Sequence, residues 1–159
     1  MKIDKKYLIR RNLDRYSELE FAREMEKIYQ RPFFPFKDKG IDIIGIDDGN
    51  RVYFYQLKAR NFNIRKKVWG FKIDKKKMEI FPQTKNSFWI FCALRIAQDK
   101  FDFFKIPINI LKKLYEERIR TTTGSREGHF IDIKQKEGKW KFTNPERLND
   151  ITDLNKYLL

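Results

Sequence analysis

Four side chains between residues 18 and 58, Glu18, Asp42, Gln56 and Lys58, are of types that could do chemistry together. Two carboxylates make a hard oxygen site of the kind Mg²⁺ prefers. A divalent ion held there can activate water, hold a phosphate oxygen and stabilise developing charge. An ammonium beside it, Lys58, can neutralise an attacking hydroxide or a crowded phosphorus transition state. The set suits phosphodiester hydrolysis, provided that folding brings it together.

The stretch GIDIIGIDDGNRVYFYQLKAR, Gly40 to Arg60, reads as two apolar strands, Ile41–Asp47 and Arg51–Arg60, joined by a turn. Side chains alternate along a strand, so Gln56 and Lys58 share a face with Val52 and Phe54. Loop length decides whether Asp42 joins them. A three-residue loop, Asp48-Gly49-Asn50, sets Asp42 opposite Gln56, and Gly or Asn supplies the left-handed residue it needs. A two-residue loop, Asp48-Gly49, sets Asp42 opposite Tyr55, on the other face. The first register is expected, because polar groups that meet can satisfy each other or hold an ion, whereas scattered in a core each is a separate cost.

The fourth group comes from a helix. DRYSELEFAREMEKIYQ, Asp14 to Gln30, has helical spacing, with Phe21, Ala22, Met25, Ile28 and Tyr29 on one face. Glu18 precedes Phe21, Ala22 and Met25 at intervals that place it on that face, whereas Glu20 points with Arg23, Glu24 and Lys27 toward water. Asp14 or Ser17 is the expected cap, and Arg31-Pro32 ends the helix. FFPF is a short extended segment. After the hairpin come a basic stretch through VWGFKI, a short helix from Lys75 to Phe81, and the apolar run SFWIFCAL, read as a buried strand. FDFFKIPI is a further strand, Asn109 caps the helix ILKKLYEERI, TTTGSREG is a loop, and HFIDIKQ and KWKFT form a hairpin around Glu137-Gly138. A last helix is expected from Asn144-Pro145 to the end. The fold class is α/β: one domain over residues 1–159 with a mixed central β-sheet flanked by helices, its core about 15–108 and a C-terminal extension about 109–159.

Composition narrows the partners. Lys and Arg number 36 against 22 Asp and Glu, a net charge of +14, and a field of that sign attracts polyanions. One cysteine, Cys92, permits no disulfide within the chain, which favours a reducing cytoplasm. With one histidine, His129, neither a cysteine-built zinc site nor a histidine cluster is open to it. No apolar run is long enough to span a membrane, and MKIDKKYLIRRN lacks the apolar segment of a secretory signal. Arg60, Arg65, Lys66, Lys67 and Lys72 follow the Lys58 strand and suit a phosphate-tracking arm. Thr121, Thr122, Thr123, Ser125 and Arg126 are further phosphate-contact candidates. Cys92 reads as core, Asp38, Asp47 and Asp48 as turn residues, and His129 as a lone candidate base.

KDKGIDIIGIDDGNRVYFYQLKAR resembles the signature of the PD-(D/E)xK nuclease superfamily, nearest to Mrr-type restriction endonucleases and archaeal Holliday-junction resolvases. In those families a helix Glu precedes a strand Asp, a hairpin, and an acid-x-Lys or Gln-x-Lys strand. Glu18, Asp42, Gln56 and Lys58 match one by one, at spacings of 24 residues from Glu18 to Asp42 and 14 from Asp42 to Gln56. The resemblance covers about residues 15 to 94. Ile41 stands where many members have Pro, and Gln56 where most have an acid; an amide is the weaker Mg²⁺ ligand. The resemblance implies a restriction-endonuclease-like core and a Mg²⁺-dependent endodeoxyribonuclease, with Mn²⁺ a possible substitute. It implies Glu18, Asp42, Gln56 and the Leu57 carbonyl at the metal, Lys58 beside it, and double-stranded DNA as substrate, bound by a possible homodimer. A structure-selective junction resolvase, a nucleic-acid-binding module without catalysis, and a protein-interaction domain with incidental charge are the other readings.

Overall fold

In the computed structural model, which describes residues 12–121, 129–143 and 153–159, the expected three-residue loop forms. Asn50 takes the left-handed backbone, φ 57°, and closes β2 (Ile41–Ile46) onto β3 (Val52–Asn61). Ile43 then pairs with Tyr55 and Ile46 with Val52, the register that carries Asp42 opposite Gln56. Asp47 locks the loop. Its Oδ1 accepts from the backbone N–H groups of Gly49 at 3.0 Å and Arg51 at 2.9 Å. Its Oδ2 accepts from Arg51 Nε at 2.7 Å and the Tyr53 hydroxyl at 3.1 Å. The Arg51 backbone bond above all, then Tyr53 and the Arg51 side chain, hold the Asp47 carboxyl below the usual carboxylate range.

A carboxyl depressed in the folded state contributes stability above its unfolded pKa, and that contribution is lost as pH falls through the folded value. Asp47→Asn should therefore melt below wild type at neutral pH. The gap should close as pH drops below the ordinary carboxylate range. Thermal melts at several pH values check this, and a gap that stays constant into acid would show that the charge plays no part.

β1 (Phe33–Asp38) joins β2 through Lys39 and Gly40, both left-handed at φ 48° and 74°, the pair of positive φ values that a two-residue type I′ turn requires. FFPF is thus the start of a full edge strand. The central sheet has the order β1-β2-β3-β5-β6. β5 (Ser87–Arg95) lies parallel to β3 and antiparallel to β6 (Lys100–Pro107). Between β3 and β5 run β4 (Trp69–Ile73) and α2 (Lys75–Ile80). β4 leaves the central sheet to pair with β7 (His129–Lys136), which pairs with β8 (Lys139–Phe142).

The central sheet is covered on both faces. The first helix, α1 (Leu13–Tyr29), sets Phe21 and Met25 against Ile43, Tyr55, Leu57, Ala59, Ile90 and Cys92. On the other face Trp89, Phe91, Ala93, Phe104 and Ile106 meet the small sheet through Trp69, Phe71, Ile131, Ile133 and Trp140. Met78 of α2 and Leu111 and Leu114 of α3 (Ile108–Thr121) complete that core. A strand covered on both faces must be apolar throughout, which explains SFWIFCAL, and Cys92 is buried in it.

Several expectations need correction. Ile28 and Tyr29 are exposed, at 53% and 36%, although the Tyr29 ring still lies 6.1 Å from that of Phe33 and its hydroxyl accepts from Lys105 Nζ at 3.2 Å. Neither Asp14 nor Ser17 caps α1; the cap position is Asn12, and the Ser17 hydroxyl, buried, donates to the Asp14 carbonyl at 2.8 Å. Asn109 lies inside the first turn of α3. FDFFKIPI turns Phe103, Phe104 and Ile106 into the cores, and the C-terminal Leu158 bridges to Phe104. Residues 153–159 end in isolated bridges and a 3₁₀ turn at Asn155–Tyr157 rather than a helix. Residues 1–11 and 144–152, Thr122, Thr123, Ser125 and Arg126, and the side chains of Thr121 and His129, lie outside what is described.

Candidate active site

Asp42 stands where β2 changes face. Ile43 packs in the core under α1, yet Ile41, two residues away, packs in the opposite core with Met78 and Phe81. A regular strand would place both on one side. The twist falls at Asp42, and there the backbone ladder to β3 stops. The carboxylate takes over as partner: Oδ2 accepts the Leu57 backbone N–H at 2.8 Å and the Gln56 side-chain amide. Gln56 also donates to the Leu57 carbonyl at 3.1 Å. Gln56 is 2% exposed, so these bonds answer the cost of placing an amide in a core.

The other carboxylate oxygen turns toward α1. Lys37 Nζ lies 3.3 Å from Asp42 Oδ1 and also donates to Glu18 Oε1. Glu18 and Asp42, 13% and 16% exposed as side chains, thus converge on one position, and a cation fills it. A β-bulge brings Lys37 there. Pro35 pairs with Ile43 but Asp38 with Ile41, so β1 carries one residue more than β2 opposite Asp42, and such an insertion re-aims side chains. Burial alone would lower the Lys37 pKa, but the Glu18 hydrogen bond and the charges of Asp42 and Glu18 raise it overall.

One polar atom is left over. Gln56 Oε1 is buried without a hydrogen-bond partner. It lies 3.5 Å from where a Cβ on Gly40 would sit, a point also 3.4 Å from the Lys77 carbonyl oxygen and 3.8 Å from Ile80. Lys58, two residues on, shares the Gln56 face and is half-buried. Burial first, then the nearby charge of Lys77, lower its pKa, opposed by Asp42 and Asp14. An ammonium partly stripped of water and held near a carboxylate is suited to receive a developing negative charge.

Hydrogen bonds and ion pairs join Glu18, Lys37, Asp42 and Gln56 into one group, and Lys58 stands near enough for the Asp42 charge to act on it. Two participants were missed, Lys37 and Lys77. The first had a signal, since Asp38-Lys39-Gly40 spells a tight turn that folds Lys37 back beside Asp42. Lys77 had none, because only the packing of α2 places it. Glu18 and Asp42 are the two carboxylates that could hold a divalent ion; no group of three or more His, Cys, Asp or Glu gathers among the described residues.

The basic arm divides. Asn63 bridges to Val68 and accepts from the backbone N–H groups of Lys67 and Lys66, at its carbonyl and at Oδ1. The intervening turn holds Arg65, Lys66 and Lys67 out to solvent. Lys72 projects from β4, while Trp69 and Phe71, between them in sequence, are core. Arg60 folds back to the Ala59 carbonyl at 2.8 Å. No helix among the described residues is long and apolar enough to cross a membrane. No family model, curated protein or solved structure matches the chain.

Proposed function

We infer that the protein is a metal-dependent endodeoxyribonuclease of PD-(D/E)xK type. The observation that carries this is the convergence of Glu18 and Asp42 on one cation position, with Gln56 bonded to Asp42. Order along the chain supports it: a helix with its Glu, a strand with its Asp, a hairpin, then Gln-x-Lys on the next strand. Glu18 and Asp42 would hold Mg²⁺ or Mn²⁺, with the Leu57 carbonyl and the unpartnered Gln56 Oε1 as neutral oxygens. Such an ion polarises a phosphate oxygen and lowers the pKa of water bound to it. The chain's own groups do the rest. The Leu57 N–H and the Gln56 amide fix the Asp42 carboxylate, and Lys58 faces the charge that builds on phosphorus. Arg65, Lys66, Lys67 and Lys72 form no ion pair among the described residues and are free to follow the DNA backbone.

Supercoiled plasmid incubated with Mg²⁺, Mn²⁺ or EDTA tests the reading: nicks should appear only with the metals. Absence of cutting with either metal, while DNA still binds, would leave a nucleic-acid-binding module, the reading that Gln56 favours. Synthetic four-way junctions set against linear duplex separate a resolvase from a general endonuclease. One site per chain cuts one strand, so double-strand breaks call for a second copy or a second encounter.

Charge reversal at Arg65, Lys66 and Lys67 together should weaken DNA binding to a similar extent on every sequence. It should also lower the slope of log affinity against log salt by about one unit per lost phosphate contact. Fluorescence anisotropy across a salt series measures both, and an unchanged slope would remove the arm from the DNA path.

A further inference from the structure

Lys37 is in an unusual place for a surface lysine. Its side chain is 59% exposed, yet its ammonium reaches inward between two carboxylates that are mostly covered. It touches Glu18 and Asp42 at once, as a bridging metal ion would. Three features set it there: the β-bulge opposite Asp42, the left-handed Lys39 and Gly40 that bend β1 back onto β2, and α1, which brings Glu18 from the other side. Without a cation between them the two carboxylates would repel across a poorly solvated gap.

We propose that Lys37 is the site's built-in counter-ion, holding Glu18 and Asp42 together until a divalent cation displaces it. This rests on the reading of Glu18 and Asp42 as the metal ligands. The exchange is within reach because the lysine stem is largely in water, and an ion pair with a well-solvated partner is weakly held. Charge balance gives it a direction. Glu18 and Asp42 against Lys37 and Lys58 sum to zero. A divalent ion brings the same set to +2, which favours an arriving phosphodiester anion. A released Lys37 remains tethered beside that anion. Lys37 thus sets how much metal the site needs and couples metal entry to DNA affinity.

Two measurements on metal-loaded and metal-free protein test this without reference to catalysis. Titration with Mn²⁺, free Mn²⁺ being read by electron paramagnetic resonance, should show Lys37→Gln binding the ion roughly tenfold more tightly than wild type, within the usual range of coupling between two ligands of one site. Lys37→Arg, which keeps the charge, should stay near wild type. Equal or weaker binding by a folded Lys37→Gln overturns the proposal. The second measurement needs no variant. Brief acetylation of wild type, read by peptide mass spectrometry, should label Lys37 more when Mn²⁺ is present, because the ammonium has left the carboxylates. Labelling that stays constant or falls overturns the exchange even if the variant does not fold. A wild type that nicks plasmid but shows constant labelling removes the exchange and leaves the nuclease. One that exchanges Lys37 for metal but never cuts removes the nuclease and leaves the exchange.

Discussion

Asp42→Asn should lower plasmid nicking by at least about a thousandfold, a loss of about 4 kcal/mol of transition-state stabilisation, while DNA binding is kept or improves. Asp42 does two things with its two oxygens. Oδ1 contributes charge to the cation position, and Oδ2 replaces a missing rung of the sheet by accepting the Leu57 N–H at 2.8 Å. Asparagine can retain that acceptor while losing the charge, so it separates chemistry from folding better than alanine does. Alanine would strand a backbone donor as well, at a cost of about 1–3 kcal/mol in stability. Removing a negative charge from the surface that meets DNA favours binding, so a loss of cleavage cannot be blamed on a loss of contact. Circular dichroism and melting confirm the fold, and single-turnover nicking in Mg²⁺ gives the rate. Near-wild-type cleavage by Asp42→Asn would remove Asp42 from the reaction, and the nuclease reading with it.

How much of this was legible before folding depended on distance along the chain. The register that sets Asp42 opposite Gln56 follows from a loop of three residues and an asparagine that tolerates φ 57°, all within a span of 15 residues, Asp42 through Gln56. Helical spacing likewise placed Glu18 on the covered side of α1, because Phe21 and Met25 fix which side that is. Lys37 was harder to see. Counted from the turn, Lys37 falls opposite Asp42, but counted from Pro35 and Ile43 it is Phe36 that does, and only the bulge between the two registers decides. Lys77 acts on Lys58 through a helix whose position is a tertiary matter. Trp69 and Phe71, embedded in a basic stretch, became core because β4 pairs with β7 some 60 residues later, as in Trp69 with Ile133. Period-two patterning reports which faces are covered and is silent on the strand that will do the covering.

Gln56→Glu should make the thermal stability of the fold depend on metal. In the present arrangement the Gln56 amide donates to both Asp42 and the Leu57 carbonyl. A glutamate cannot donate when ionised. It would set a second carboxylate against Asp42 and leave the Leu57 carbonyl without this donor, deep enough that residue 56 is 2% exposed. Two carboxylates sharing one site cannot both ionise freely, so one must keep its proton or the pair must find a cation. Lys37 can answer only part of that demand, being already bound to Glu18 and Asp42. In EDTA the variant should therefore lose about 2 kcal/mol, about 4–8 °C in Tm for a chain of this size. Saturating Mg²⁺ should restore most of it, because an ion bound only by the folded state stabilises in proportion to its occupancy. The third carboxylate is also the stronger ligand, so nicking should persist and saturate at lower Mg²⁺ than in wild type. Differential scanning fluorimetry in EDTA and in a Mg²⁺ series reads the first effect, and nicking over the same series the second. A variant whose Tm ignores the metal would place Gln56 outside the ion's reach and confine it to bracing Asp42.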